Sequence, residues 1–349
     1  MSEVEAHVEV DDRRLLFRQA LELHPQPAPS LARWSGYGFG LVLETPGPFP
    51  GLQPATAAGE RVTSWREVSA EEVETAWRLD DGETLLERRH PNGRLFLRID
   101  SHERDGFRIW APYYGRHLIA LDGCSIASAL PRVPPVRWQR LFFAQVLPLC
   151  AALQGLSVFH ASAAAVRGKV LAFVGPPGSG KTSVTAHLVA LGASFFTDEV
   201  LVLESGPGGV RAYPGPARLS LDEAELGQIP STQKLRVGPC VGRSDKLMLE
   251  PEPCASPLPL ACLYFLRPDS EATRITINKH EDSPGKTLLG SSFINNLQVD
   301  GYLEHHLEIN ASLAGSVRLY DIGIPRRSRA RDVAARVLAH CDEPRGGTP

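Results

Sequence analysis

The stretch Gly175-Pro176-Pro177-Gly178-Ser179-Gly180-Lys181-Thr182 decides how this chain is read. It fits the phosphate-binding loop pattern of Gly, four residues, then Gly-Lys-Thr. Its flanks fit as well. Lys169 to Val174 is a short apolar run ending at glycine, which predicts a buried strand. Ser183 to Leu191 predicts a helix, stopped by Gly192. Glycines at 175, 178 and 180 let the backbone curl so that successive N–H groups face phosphate oxygens. The helix N-terminus adds partial positive charge at the same place. The whole segment from Gly175 through Ser183, with Pro176, Pro177 and Ser179 inside it, is the expected nucleotide-binding backbone. Lys181 is placed to reach the terminal phosphates and the Thr182 hydroxyl to hold Mg²⁺. A glycine-rich turn that only links strand to helix is the alternative, and the full pattern with both flanks disfavours it.

Composition bounds the rest. The 349 residues suffice for about two domains, and 43% hydrophobic content permits a sizeable core. A net charge of −3 implies no strong pull toward nucleic acid or an anionic membrane. The six cysteines show no Cys-x-x-Cys spacing and read as thiols of a reducing compartment. The acidic start Met1-Ser2-Glu3-Val4-Glu5 lacks an apolar signal core. The longest apolar stretch, Leu141 to Leu156, is interrupted by Gln145, Pro148 and Gln154 and is too short to span a bilayer. The expectation is a cytoplasmic protein with neither nucleic acid nor membrane as partner.

Residues 1–130 read as a β-rich N-terminal domain. Strands are expected at Phe39–Glu44, Thr84–Arg88, Leu95–Ile99 and Phe107–Trp110, with a hairpin turn at Pro91-Asn92-Gly93. A short helix is expected from Ser69 to Leu79, where Ser69 and Glu72 have capping-box spacing. Residues 131–155 read as a linker and a buried helix, broken or kinked at Pro148, that packs the first half onto the second. Residues 156–342 form the phosphate-loop domain, and 343–349 a disordered tail. Strands are expected at Ser157–Ala161, Ala163–Val166, Ala193–Thr197, Val200–Glu204, Val210–Tyr213, Leu258–Phe265 and Val317–Ile322. Ser220-Leu221-Asp222-Glu223 reads as a capping box opening a short helix. Pro284–Gln298 and Ser328–His340 are further helical segments. The fold class is α/β (α+β overall), with a mixed sheet in the second domain.

A phosphate loop names no reaction, so the carboxylates matter. Asp198-Glu199 begins 17 residues after Lys181, at the end of the next strand. An acidic pair there can face both metal and γ-phosphate, one carboxylate at Mg²⁺ and the other accepting a proton from an attacking hydroxyl. Phe195-Phe196 before it and Val200-Leu201-Val202-Leu203 after it embed the pair between core strands, where unpaired charge is costly. His160 lies 15 residues before Gly175. If its strand neighbours the loop strand, it can hold or tune one of those carboxylates; a plain structural hydrogen bond is the equal alternative.

Phe159-His160-Ala161-Ser162, the loop, and Thr197-Asp198-Glu199 together resemble the catalytic domain of the HPr serine kinase/phosphorylase family. The resemblance is closest to the HPr-kinase-like group that includes kinases of lasso-peptide precursors. It spans residues 156–340, most strongly 159–204. It implies a P-loop, HPr-kinase-like fold, with ATP and Mg²⁺ as cofactors. It implies Asp198 as the base that deprotonates the acceptor hydroxyl and His160 as its support. Glu199 stands where the family carries a second aspartate near the metal, beside Thr182 and Asp198. Arg218 and Lys246 fall in segments near the site and are candidates to clamp phosphate or an acidic substrate. The glycine-rich signature of the bifunctional enzymes is not evident in Ser205–Pro216. The family's hexamers imply self-association. The resulting expectation is an ATP-dependent kinase for a serine or threonine hydroxyl of a peptide or small protein. Two alternatives stand beside it: a small-molecule hydroxyl kinase, acting on free serine or a similar alcohol, and a non-catalytic ATP-binding sensor or scaffold.

Overall fold

The computed structural model describes residues 33–55, 61–77, 82–281, 308–309, 311–313 and 315–342. The described residues are mixed α/β and divide into two compact units that meet in sequence between Leu156 and Ser157.

The first unit is built on one nine-stranded sheet. Its strands are β1 (Trp34–Gly38), β2 (Leu41–Thr45), β3 (Gln53–Pro54), β4 (Val62–Glu67), β5 (Glu83–Arg89), β6 (Leu95–His102), β7 (Gly106–Ala111), β8 (Gly115–Ile119) and β9 (Ser125–Ala129). Their order is β3-β1-β2-β4-β9-β8-β7-β6-β5. The strand expected to start at Phe39 begins at Leu41, because Phe39 and Gly40 both take positive φ (58° and 77°) and make the β1–β2 turn. Helix α1 (Ala70–Ala76) has the expected capping box: Ser69 Oγ accepts from the Glu72 N–H, and Glu72 accepts from the Ser69 N–H. Val73, Ala76 and Trp77 bury against Leu118, Ala127 and Ala129 of the sheet.

The long helix expected over Val136–Leu153 is interrupted, but not at Pro148 itself. Helix α2 (Pro135–Leu141) passes into a π-turn (Phe142–Val146), and α3 (Leu147–Leu153) follows. Pro148 has no N–H to donate to the preceding turn, so the ladder loosens just ahead of it. Trp138, Phe142 and Phe143 pack around Phe49, with ring centroids 5.0–5.9 Å apart, inside the first unit.

The second unit carries the phosphate-loop motif. Its strands are β10 (Ser157–Phe159), β11 (Ser162–Val166), β12 (Lys169–Val174), β13 (Ser194–Thr197), β14 (Leu201–Gly206), β15 (Gly209–Tyr213), β16 (Leu219–Leu221), β17 (Cys240–Arg243), β18 (Leu247–Leu249), β19 (Leu258–Asp269), β20 (Thr276–Lys279) and β21 (Arg318–Pro325). The main sheet runs β10-β14-β15-β19-β12-β11-β13, and β21 adds to β19 with β20 beyond it. The loop strand β12 is parallel to β19 and antiparallel to β11. Arg167-Gly168 is the two-residue β11–β12 turn, with both residues at positive φ, the geometry that matches strand twist. Helix α4 (Lys181–Ala190) follows the loop and lies with the terminal helix α6 (Ala330–Asp342) over one sheet face, where Val184, Leu188, Val333, Ala334 and Val337 join one core. On another core cluster Ile309, Leu313 and Val317 meet Phe159, Phe196 and Phe265. The three-stranded sheet β16-β18-β17 contributes Leu219, Leu221 and Leu249 to a third cluster with Ala186 and Phe195.

Two expectations are corrected. The Ser220 capping box does not form: Ser220 lies in β16, and helix α5 (Glu223–Gln228) starts after Asp222 with no side-chain cap. The loop helix starts at Lys181, two residues earlier than its apolar pattern suggested, because left-handed Gly180 (φ 90°) is its N-cap. The helical segment expected over Pro284–Gln298 lies outside the described residues.

Candidate nucleotide-binding site

The loop joins the end of β12 to α4. Gly178 and Gly180 sit at φ 81° and 90°, the left-handed region that side chains disfavour. Gly175 is needed for a different reason: a Cβ there would lie 2.7 Å from Ser179 Oγ and 3.0 Å from the Leu266 carbonyl of the neighbouring strand. Ser179 Oγ is itself buried with no hydrogen-bond partner. Buried hydroxyls are normally paired, so an orphan inside this loop fits a phosphate oxygen as the missing acceptor. Pro176 and Pro177 are exposed on the loop's crest.

Lys181 is only 7% exposed and folds back over the loop, donating to the carbonyls of Gly175 (2.8 Å) and Pro176 (3.3 Å). Burial pulls its ammonium below the ordinary lysine value. Asp198 and Glu199 oppose that pull, and Lys246 adds to it. All three are therefore within electrostatic reach of Lys181. Thr182 Oγ1 donates to Asp198 Oδ1 at 2.9 Å. Ser162 Oγ donates to the same oxygen at 2.5 Å, and the Ser220 N–H donates to Oδ2 at 3.2 Å. Ser183, the third helical residue, is half-buried at the loop's exit.

Glu199 follows Asp198 with φ 65°, an uncommon conformation for a residue with a Cβ. This left-handed turn joins β13 to β14, and Thr197 Oγ1 closes it on the Val200 carbonyl at 2.5 Å. His160 follows β10, and its ring hydrogen-bonds the Glu199 backbone. Its pKa falls below the ordinary histidine value, through desolvation first and Lys181 second. The Glu199 bond and the Asp198 charge oppose the shift.

Sequence-derived candidates therefore separate by position. Gly175 to Thr182, Asp198, Glu199 and His160 converge. Lys246 lies in reach of Lys181 while sitting 3.9 Å from Asp222. Arg218 donates through Nη1 to Glu250 (2.5 Å) and to the Ala217 carbonyl (3.0 Å). Two contributors escaped the sequence reading, Ser162 and the Ser220 N–H. Ser162 had a signal: it is the polar residue opening an otherwise apolar strand, Ser162-Ala163-Ala164-Ala165. Ser220 had a misleading one, its helix-cap spacing.

The residues fit a magnesium nucleotide. Mg²⁺ carried with a nucleotide takes one or two protein oxygens and fills its octahedron with phosphate and water. Thr182 Oγ1 with Asp198 Oδ1 is such a pair. Among the described residues no group of three His, Cys, Asp or Glu converges as in a dedicated metal cage. Among them, too, no helix is long and apolar enough to cross a membrane.

No family model and no curated protein matches the chain. Among solved structures, the Hpr(Ser) kinase/phosphatase from Coxiella burnetii is similar at 10% identity, over 53% of this chain and 95% of that one, with a TM-score of 0.28. At that TM-score the likeness supports no argument about what this chain does.

Proposed function

We propose that the protein is a P-loop kinase that moves the γ-phosphoryl group of Mg²⁺-ATP to a serine or threonine hydroxyl of a peptide or small protein. The observation that carries this reading is the Thr182–Asp198 hydrogen bond at the mouth of the loop that Lys181 enters. It joins the metal-side hydroxyl to a carboxylate while a histidine and a second carboxylate stand beside them. The choice of a peptide or protein acceptor follows the resemblance carried by His160, the loop and Asp198-Glu199.

The roles follow from the bonds. The loop amides and Lys181 hold the donor phosphates, and bound Mg²⁺ supplies charge neutralisation there. Asp198 has both oxygens occupied by donors, one of them Thr182, which suits a carboxylate that orients metal. That differs from the base role that the resemblance implies for it. We assign the base instead to Glu199, whose backbone His160 braces. The acceptor oxygen attacks the γ-phosphorus in line, its proton passes to the carboxylate, and ADP leaves with the broken bond's electron pair. Catalysis is then mostly positioning and charge neutralisation.

The test is transfer of label from γ-labelled ATP with Mg²⁺ to serine- and threonine-containing peptides, with free serine as a parallel acceptor. Labelled peptide is expected. Label on serine alone would move the reading to a small-molecule kinase. Tight ATP binding with no transfer to any acceptor would move it to a sensor or scaffold. Lys181→Ala should cost about 1.5–3 kcal/mol in nucleotide binding or transfer, the range for charge-assisted hydrogen bonds. An unchanged variant would remove the loop from the site.

A further inference from the structure

We infer that Ser162 is a positioning residue that sets the orientation of Asp198 toward the metal–nucleotide complex. This rests on the phosphotransfer reading above. Ser162 is 1% exposed, and a hydroxyl so buried must find a partner. It finds the Asp198 carboxylate at 2.5 Å, on the oxygen that also accepts from Thr182. The strand that carries it explains the placement. β11 is shared: it pairs with the loop strand β12 on one side and with β13, the strand leading to Asp198, on the other. Ser162 opposes Phe173 on the first, and its neighbour Ala163 opposes Thr197 on the second. The β11–β13 register shifts between Ala163 and Ala164. Such an irregularity re-aims the residues beside it. Ser162 therefore fixes the carboxylate relative to the loop through the sheet itself.

The donors are complementary. Thr182 comes from the loop helix, Ser220 from the small sheet and Ser162 from the shared strand. If Thr182 turns its oxygen to a metal, Ser162 and the Ser220 amide still hold Asp198 in place. All three donors are neutral, so they orient the carboxylate without cancelling its charge. Removing an outer partner of a metal-binding carboxylate typically costs about 10- to 100-fold in metal affinity or activity.

The experiment uses the full chain and Mn²⁺ as the metal. Binding of a fluorescent ATP analogue is titrated with Mn²⁺ and, separately, measured in EDTA. For Ser162→Ala, the Mn²⁺ concentration needed for tight nucleotide binding should rise about 10- to 100-fold, with affinity in EDTA unchanged. In transfer assays the metal KM should rise while kcat at saturating metal stays near wild type. Ser162→Thr, which restores the hydroxyl, should recover the metal response. If Ser162→Ala melts too low to titrate, Ser162→Cys takes its place, with near-equal volume, a weak donor and the same expected rise. Wild-type metal dependence in the folded variant, whatever its melting temperature, overturns the inference and leaves Ser162 a packing residue. A wild-type protein that binds no nucleotide with or without Mn²⁺ overturns the phosphotransfer reading itself, so the two failures are distinct.

Discussion

Asp100 in the first unit and Asp198 in the second are both carboxylates held by several donors, and they are held differently. Asp100 is 1% exposed on β6. Arg98 reaches one of its oxygens at 2.6 Å, Arg108 the other at 2.6 Å, and Thr84 donates at 3.0 Å. Two permanent cations cancel its charge where it stands. Asp198 receives its hydrogen bonds from two hydroxyls and one amide, all neutral. Its position is fixed but its charge is not cancelled by those bonds. The first arrangement locks a sheet; the second, on the proposed reading, orients a charge for a metal–nucleotide complex. One histidine from each unit shows the same division. His117 is fully enclosed, with Nδ1 2.8 Å from Ser128 Oγ, which also accepts from Trp65 Nε1 at 3.0 Å. His160 stands beside the loop lysine and the acidic pair.

The contrast is broken or sharpened by substitution. Asp198→Asn should lower phosphoryl transfer about 1000-fold, ~4 kcal/mol, with the melting temperature nearly unchanged. Earlier melting with a normal rate per folded molecule would make Asp198 a second Asp100. Next in size is an acid effect at His117, where burial pushes the pKa down to about 4, against a weaker opposing bond to the Tyr114 carbonyl. The unfolded chain takes up that proton near pH 6.5, and the folded one refuses it until about pH 4. Stability is therefore full above pH 6.5 and falls toward pH 4, by roughly 3 kcal/mol. Urea unfolding across that window should show the slope in wild type and lose it in His117→Gln.

Asp100→Ala should destabilise by about 2–3 kcal/mol, read from the denaturant midpoint. Both arginines keep solvent access (34% and 20% side-chain exposure), so they rehydrate in part and the loss stays below that of a fully buried pair. A loss of transfer with no loss of stability would reverse the contrast. The smallest effect concerns His160. Its lowered pKa places an acid limb of kcat/KM below the ordinary histidine range. His160→Asn should remove that limb, and a pH profile unmoved by the substitution would leave His160 without a titrating role.

Much of the fold was legible where a signal is local. The loop strand was read to the residue at Lys169–Val174, and the Ser69–Glu72 box and the strand cores near Leu95 and Phe107 depend on neighbours a few residues apart. The misses came where a partner is distant. Ser220 has the spacing of a helix cap, yet pairing of β16 with β18 and the bond to Asp198 hold it in a strand. Arg218, two residues before Ser220, pairs with Glu250, 32 residues on, a contact that no local pattern announces.

By itself the sequence determined the glycine loop and its flanks, because glycine spacing, lysine and hydroxyl are consecutive and their geometry is a property of one short backbone segment. It also determined that an acidic pair follows on the next strand after the loop helix. Which carboxylate faces Thr182, and what holds it there, only the tertiary structure decided. The answer depends on β11 lying between the loop strand and the acid strand, so that Ser162, Thr182 and Ser220 meet one side chain from three elements. No spacing along the chain encodes that meeting, because sheet order is set by packing between segments far apart in sequence.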